Sequence, residues 1–135
     1  MSRRYFIIAI CIVAMLIPFP TTVVPEWKIR VVDKSGKPIA GEHIREMWQH
    51  YSLESDGHEE ELVTDGNGYV VFSQRRIWFP LLGRIVFTGL AALLTLAHGS
   101  MGVSAWVMVP NYSTNGGTRN YEPGKPLPQE IVLPR

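Results

Sequence analysis

Val31-Val32-Asp33-Lys34-Ser35-Gly36-Lys37-Pro38-Ile39-Ala40-Gly41 is answered downstream by Thr64-Asp65-Gly66-Asn67-Gly68-Tyr69-Val70-Val71-Phe72. Each stretch reads as an extended apolar run that enters or leaves a tight turn. Asp, Asn and Ser bond locally to their own backbone and Gly tolerates positive φ, so the chain reverses at Asp33–Gly36 and again at Asp65–Gly68. Asp33, Gly36, Pro38 and Gly41, with Asp65, Gly66, Asn67 and Gly68, are therefore expected to be structural turn residues rather than chemical groups. The spacing predicts an all-β fold, an antiparallel sandwich of about seven strands. It also predicts that 61–64 and 69–72 pair as a hairpin across Asp65–Gly68.

The same residues carry a resemblance. A strand, D-x-x-G-x-P-x-x-G, a strand and then T-D-x-x-G-Y-x-x-F resembles the carboxypeptidase regulatory-like, transthyretin-like domain. The match runs from Trp27 to Phe72 and extends weakly to the C-terminus, while 1–26 and 77–102 have no counterpart in its pattern. The resemblance implies an Ig-like, prealbumin-type sandwich used as an accessory module for folding support, docking or adhesion.

Outward from this centre, Trp27–Val32 alternates as a half-buried first strand does. Ile44, Met47, Trp48 and Tyr51 fit a helix or a bulged strand, and the neighbouring turns favour strand. Strands are also expected at 104–109 and 129–133, the latter at a sheet edge because prolines bound it. Residues 110–128, rich in Gly, Pro, Asn and Ser, read as a long loop. From Ile77 to Ala97 the only charge is Arg84, and a helix is expected from about Pro80. Arg84, Thr88, Ala91, Thr95 and His98 share one narrow stripe of that helix, with Ile85, Val86, Phe87 and the leucines covering the rest. Such a helix must lie against the sandwich or dip into a membrane interface.

The N-terminus has Arg3 and Arg4 before thirteen uncharged residues, Tyr5 to Ile17, as in an export signal or an anchor. No small-x-small cleavage site follows. The uncharged run reaches Val24, close to spanning length despite Pro18 and Pro20, which favours a retained anchor. The expected organisation is a signal peptide or anchor over 1–25, then one sandwich domain over 26–135 with an apolar helix inserted at about 79–98. Ile8-Ala9-Ile10 before Cys11 lacks the small residue that lipidation requires. With Cys11, the chain's one cysteine, inside the targeting segment, the domain holds no disulfide.

Thirteen basic residues face twelve acids over 135 residues. All the acids lie at or beyond Glu26, so without Arg3 and Arg4 the exported part is near neutral and no nucleic-acid partner is expected. His43, His50, His58 and His98 form neither an H-x-H nor an H-x-x-x-H pair. Asp65-Gly66-Asn67 imitates the start of a calcium loop without its distant Glu. Gly99-Ser100-Met101-Gly102 is not a nucleophile elbow.

The segment from Val31 to Trp48 is also similar to intradiol ring-cleaving dioxygenases, whose ferric iron is held by two Tyr and two His. Tyr51, Tyr69, Tyr112 and Tyr121 are present, but the paired histidines are not. Transthyretin-like hydroxyisourate hydrolases end in Y-R-G-S, whereas this chain ends Val132-Leu133-Pro134-Arg135. The sequence thus predicts no enzyme, cofactor or metal. It predicts an exported or membrane-tethered module for protein contact or envelope structure, with the membrane as one partner and an unidentified protein as another. A carbohydrate- or small-ligand-binding module is the alternative, with a metal-dependent enzyme behind it. Trp27, Trp48, Trp78 and Trp106 are expected chiefly in the core, with Trp48 and Trp106 as possible interface residues. The location expected is extracytoplasmic, periplasmic or at the cell surface, with possible anchoring in the cytoplasmic membrane.

Overall fold

The computed structural model describes residues 3–98, 102–113 and 116–135. Helix α1 (Arg3–Leu16) leads into β1 (Pro18–Val24) and β2 (Trp27–Val32). Then come β3 (His43–His50), β4 (His58–Val63), β5 (Tyr69–Phe72) and β6 (Arg75–Pro80). Helix α2 (Leu81–His98) precedes β7 (Val103–Met108), β8 (Thr118–Asn120) and β9 (Glu130–Val132). The fold is mostly β. Its described strands form three small sheets, ordered β1-β6, β5-β2-β9 and β4-β3-β7-β8, with every pair antiparallel except β2 and β9.

Alternation explains the core. In β2, Trp27, Ile29 and Val31 are buried while Lys28 and Arg30 point the other way, and β5 repeats this with Val70 and Phe72 inside and Val71 outside. From the four-stranded sheet come Ile44, Ala105, Val107 and Val109, and from the chain's last stretch Ile131 and Leu133. All these side chains form one buried cluster fed by both larger sheets. Its hydrophobic burial supplies the main driving force in a β body without cysteine.

The two quoted stretches interlock. Asp33 Oδ1 accepts hydrogen bonds from the Ser35 amide, the Ser35 hydroxyl and the Lys37 amide at 2.8, 2.6 and 3.0 Å. The Ser35 hydroxyl, then the backbone amides, hold the Asp33 carboxyl below its ordinary pKa. Asp65 Oδ1 likewise accepts from the amides of Asn67 and Tyr69. Thr64, buried between the stretches, donates its hydroxyl to the Ile39 carbonyl and accepts the Glu42 amide. The Val31 amide donates to Gly68 O, and Ile39 N donates to Val31 O.

One expectation is overturned here. The 61–64 and 69–72 segments do not pair as a hairpin: β4 pairs with β3, and β5 pairs with β2. The Gly41 and Thr64 amides bond Thr64 O and Glu42 O, holding the end of β4 to β3, while the Val31–Gly68 bond draws β5 onto β2. Asp65–Gly68 is therefore a corner between sheets. A second correction concerns 18–24, read as part of the apolar targeting run, which form a strand. β1 pairs along β6, and its last residues, Val23 and Val24, are in the core. Residues 77–79, read with the apolar helix segment, extend β6 instead, and α2 starts at Leu81. The segment 43–50 is a strand, β7 and β9 lie where strands were expected, and the 110–128 stretch also contains β8.

Candidate functional site

The least covered apolar surface lies where α1 and α2 meet the outer end of the β1–β6 ribbon. α1 buries none of its residues, and Tyr5, Ile7, Ile8, Ile12 and Leu16 are all exposed. Phe6, Ala9, Ile10, Val13, Ala14 and Ile17, at helical spacing, line an apolar groove of about 300 Å³ along it. In α2, Ile85, Val86, Leu90 and Leu94 are exposed and Leu93 is 70% exposed, so the leucine face does not pack on the β body. Trp78 on the ribbon is 65% exposed, which removes it from the expected core set. Cys11 is exposed on α1.

Arg84 does not interrupt this surface. Its guanidinium donates to the carbonyls of Phe79 and Phe19, both at 3.1 Å, and lies 4.4 Å from the centre of the Phe19 ring. The charge thus clasps the ribbon to the first turn of α2. Phe79 and Phe87 meet edge to face at 5.8 Å, and a Cβ on Gly83 would stand 2.5 Å from the Phe79 ring, so glycine permits that approach. Beyond Arg84 the helix is uncharged to His98 apart from that histidine. Thr95 bonds its hydroxyl to Ala91 O within the helix, as an apolar setting demands.

Both ends of α2 are tied to the β body. Pro80 pairs with Pro18 at its start, and beyond its end Gly102 O accepts the Tyr51 amide and Val103 pairs with His50. At the usual rise α1 and α2 are about 21 and 27 Å long. Among the described residues no helix is long and apolar enough to cross a membrane.

A second cluster lies at the edge of the core. The fully buried Glu46 carboxylate takes two hydrogen bonds from Arg75 through Oε2, at 2.8 and 2.6 Å, and Arg75 also bonds Glu60. Burial raises the Glu46 pKa, against the opposing pull of Arg75. Burial opposes the Arg75 charge, but its bonds to Glu60 and Glu46 hold that pKa above the ordinary value. Arg75 also lies 4.1 Å from the Trp48 ring centre, and His58 stacks on the same indole at 5.4 Å. These side chains, with Glu54, Gln74, Arg76 and Ile77, line a recess of about 340 Å³.

His58 pairs with Glu54 at 3.1 Å, and His43 pairs with Glu61 at 2.9 Å on a separate, exposed part of the sheet. Burial lowers the His50 pKa, and its Nδ1 has no hydrogen-bond partner. Among the described residues no group of three or more His, Cys, Asp and Glu could hold a metal ion. Gly99, Ser100, Met101 and the His98 side chain lie outside the described residues.

Trp48 and Trp106 do not form one surface. Trp48 pairs with Ala105 and Trp106 with Met47, so the two indoles project from opposite faces of their sheet. Of the expected turn residues, Asp33 and Asp65 accept nearby backbone amides, and Gly36, Gly41 and Gly68 take positive φ. Sequence reading missed the Glu46–Arg75 pair, whose partners lie 29 positions apart with no local signal. Compared with known proteins, the chain matches no family model, no curated protein and no solved structure.

Proposed function

We propose that this chain is a non-enzymatic, membrane-tethered β-sandwich module held outside the cytoplasm, acting in protein contact or cell-envelope structure. The observation that carries the reading is the contrast between a closed β core and the uncovered apolar faces of α1, α2 and the ribbon tip. Exposed apolar area on this scale marks an interaction surface. The occupant is lipid, because the charges of this surface, Arg3, Arg4 and Arg84, are all positive and suit anionic headgroups. Exposed Trp78, opposite Pro20 on the ribbon, suits the headgroup level, where amphipathic aromatics concentrate.

In this reading α2 lies in the plane of the interface, since a helix with both ends fixed to one body cannot carry the chain to the other side. α1 is the retained targeting segment, with Arg3 and Arg4 at the cytoplasmic face. Its shortness against a hydrocarbon core of about 30 Å is relieved by local thinning and by arginine snorkelling. Retention is supported by Val23 and Val24, which removal of 1–25 would strip from the core. The sandwich itself, of the Ig-like or transthyretin-like kind that the turn motifs resemble, is supported by seven strands in the two larger sheets feeding one core.

Flotation with vesicles containing anionic lipid tests the proposal. The full chain should float through α1, a chain beginning at Pro18 should float through α2, and Leu90→Asp with Leu93→Asp should leave most of that shorter chain at the bottom of the gradient while the unfolding midpoint is kept. Flotation of the shorter chain with and without the substitutions alike would reject the in-plane role of α2, and no flotation of the full chain would reject the tether.

A further inference from the structure

The outer face of the β5-β2-β9 sheet has a different character from the rest of the body. Alternation places Lys28 and Arg30 side by side on that face, and the register sets Arg30 opposite Tyr69 on one side and Glu130 on the other. Lys28 Nζ is 4.4 Å and the Arg30 guanidinium 5.7 Å from the centre of the Tyr69 ring. With Gln129 and Glu130 they line a recess of about 500 Å³. Arg119 stands beside it, donating from Nε to the Glu130 carbonyl at 3.0 Å.

Elsewhere several cations of the body are spent on carboxylates: Arg45 on Glu61, Arg75 on Glu46 and Glu60, Lys125 on Glu122 and Arg135 on Glu42. Among the described residues, no ion pair includes Lys28, Arg30 or Arg119. Arg30 Nε is moreover buried with no acceptor. A guanidinium with no carboxylate partner favours planar oxyanions.

We infer that Lys28, Arg30 and Tyr69 form a binding site for an anionic sugar, the two cations holding its carboxylate or phosphate. Gln129 and Glu130 supply an amide and a carboxylate for the hydroxyls of the ring. A flat base is a poorer fit, because Lys28 already lies over the Tyr69 ring that would stack it. Neutral sugars lack the negative charge that the two unpaired cations favour.

Calorimetric titration of the full chain in detergent micelles, with glucuronate, glucose and inorganic phosphate as probes, tests the site. Glucuronate should bind, weakening as salt is raised, with glucose and phosphate each at least about tenfold weaker. Arg30→Gln, and separately the exposed Lys28→Gln, should each weaken glucuronate about tenfold, the scale of one charge-assisted hydrogen bond, at an unchanged unfolding midpoint. Lys37→Gln, on a remote turn, should bind as wild type does. Equal binding of glucose would overturn the anion requirement, and phosphate as tight as glucuronate would overturn the sugar. Unchanged binding by Lys28→Gln would overturn the site even if Arg30→Gln failed to fold.

Discussion

Gly68 shows how much one backbone angle decides. Its φ is +74°, and a Cβ there would lie 2.6 Å from the Val31 carbonyl oxygen that accepts the Ile39 amide. Gly68→Val should therefore combine left-handed strain of roughly 1–3 kcal/mol with the loss of that close approach, seen as a lowered thermal midpoint. Turn chemistry made this residue legible in sequence, since only Gly enters the turn cheaply. What the turn joins was not legible, because the bonds from Val31 and Thr64 that send β4 and β5 into different sheets come from distant positions. Glu46 is the opposite case, a fully buried carboxylate in an ordinary-looking strand. Removing its partner by Arg75→Ala should cost about 3–5 kcal/mol, the usual effect of orphaning a buried charge, read by urea unfolding. The raised Glu46 pKa also sets a sign: the native state holds the proton more tightly than the unfolded chain. Its contribution is complete at low pH and is lost as the pH rises from the ordinary carboxylate range through the raised folded value. Stability of the wild type should fall across that window relative to Glu46→Gln, and parallel curves would mean Glu46 titrates normally.

At the scale of elements, the strands followed their alternation and the apolar helix began one residue beyond Pro80. Periodicity shows that a face is apolar, but not what covers it. Leu81, Leu82, Leu90, Leu93 and Leu94 of α2, which fit equally a sandwich or a membrane, are exposed among the described residues. Leu93→Ala should consequently leave the urea midpoint within about 0.5 kcal/mol of wild type, as exposed positions do, while weakening vesicle flotation of a chain that begins at Pro18. A loss of 2–5 kcal/mol, the range for a packed core leucine, would mean that α2 docks on the body. The strand β1 escaped sequence reading for a related reason. Pro18-Phe19-Pro20-Thr21-Thr22-Val23-Val24 continues the apolar run of α1 without a charge, and only its pairing with β6 distinguishes strand from targeting segment.

For the whole molecule, the boundary between tether and body matters more than either part. A chain beginning at Pro18 retains β1 and should unfold cooperatively, whereas one beginning at Glu26 lacks Val23 and Val24 and should lose several degrees or the transition itself; circular dichroism melts compare them. Similar midpoints would show β1 to be an accessory to the core. The topology has its own check. Protease added to intact spheroplasts should digest the body, and protection until lysis would put it in the cytoplasm. The mostly β character and the positions of the turns were readable at this scale, whereas the Lys28–Arg30–Tyr69 recess became visible only once β9 was seen beside β2.

That parallel neighbour has a consequence in time. β2 is made well before β9, so its flank against β9 stays bare until Ile131 has been made, and Trp27 Nε1 donates to the Pro128 carbonyl 101 positions later. Closing so distant a contact is slow, and an open strand edge invites pairing with other chains. Nascent chains arrested before Ile131 should remain sensitive to protease and to strand-capturing chaperones, becoming resistant on release of the full length. The core thus stays open along β2 while the hundred residues that separate Val31 from Ile131 are made.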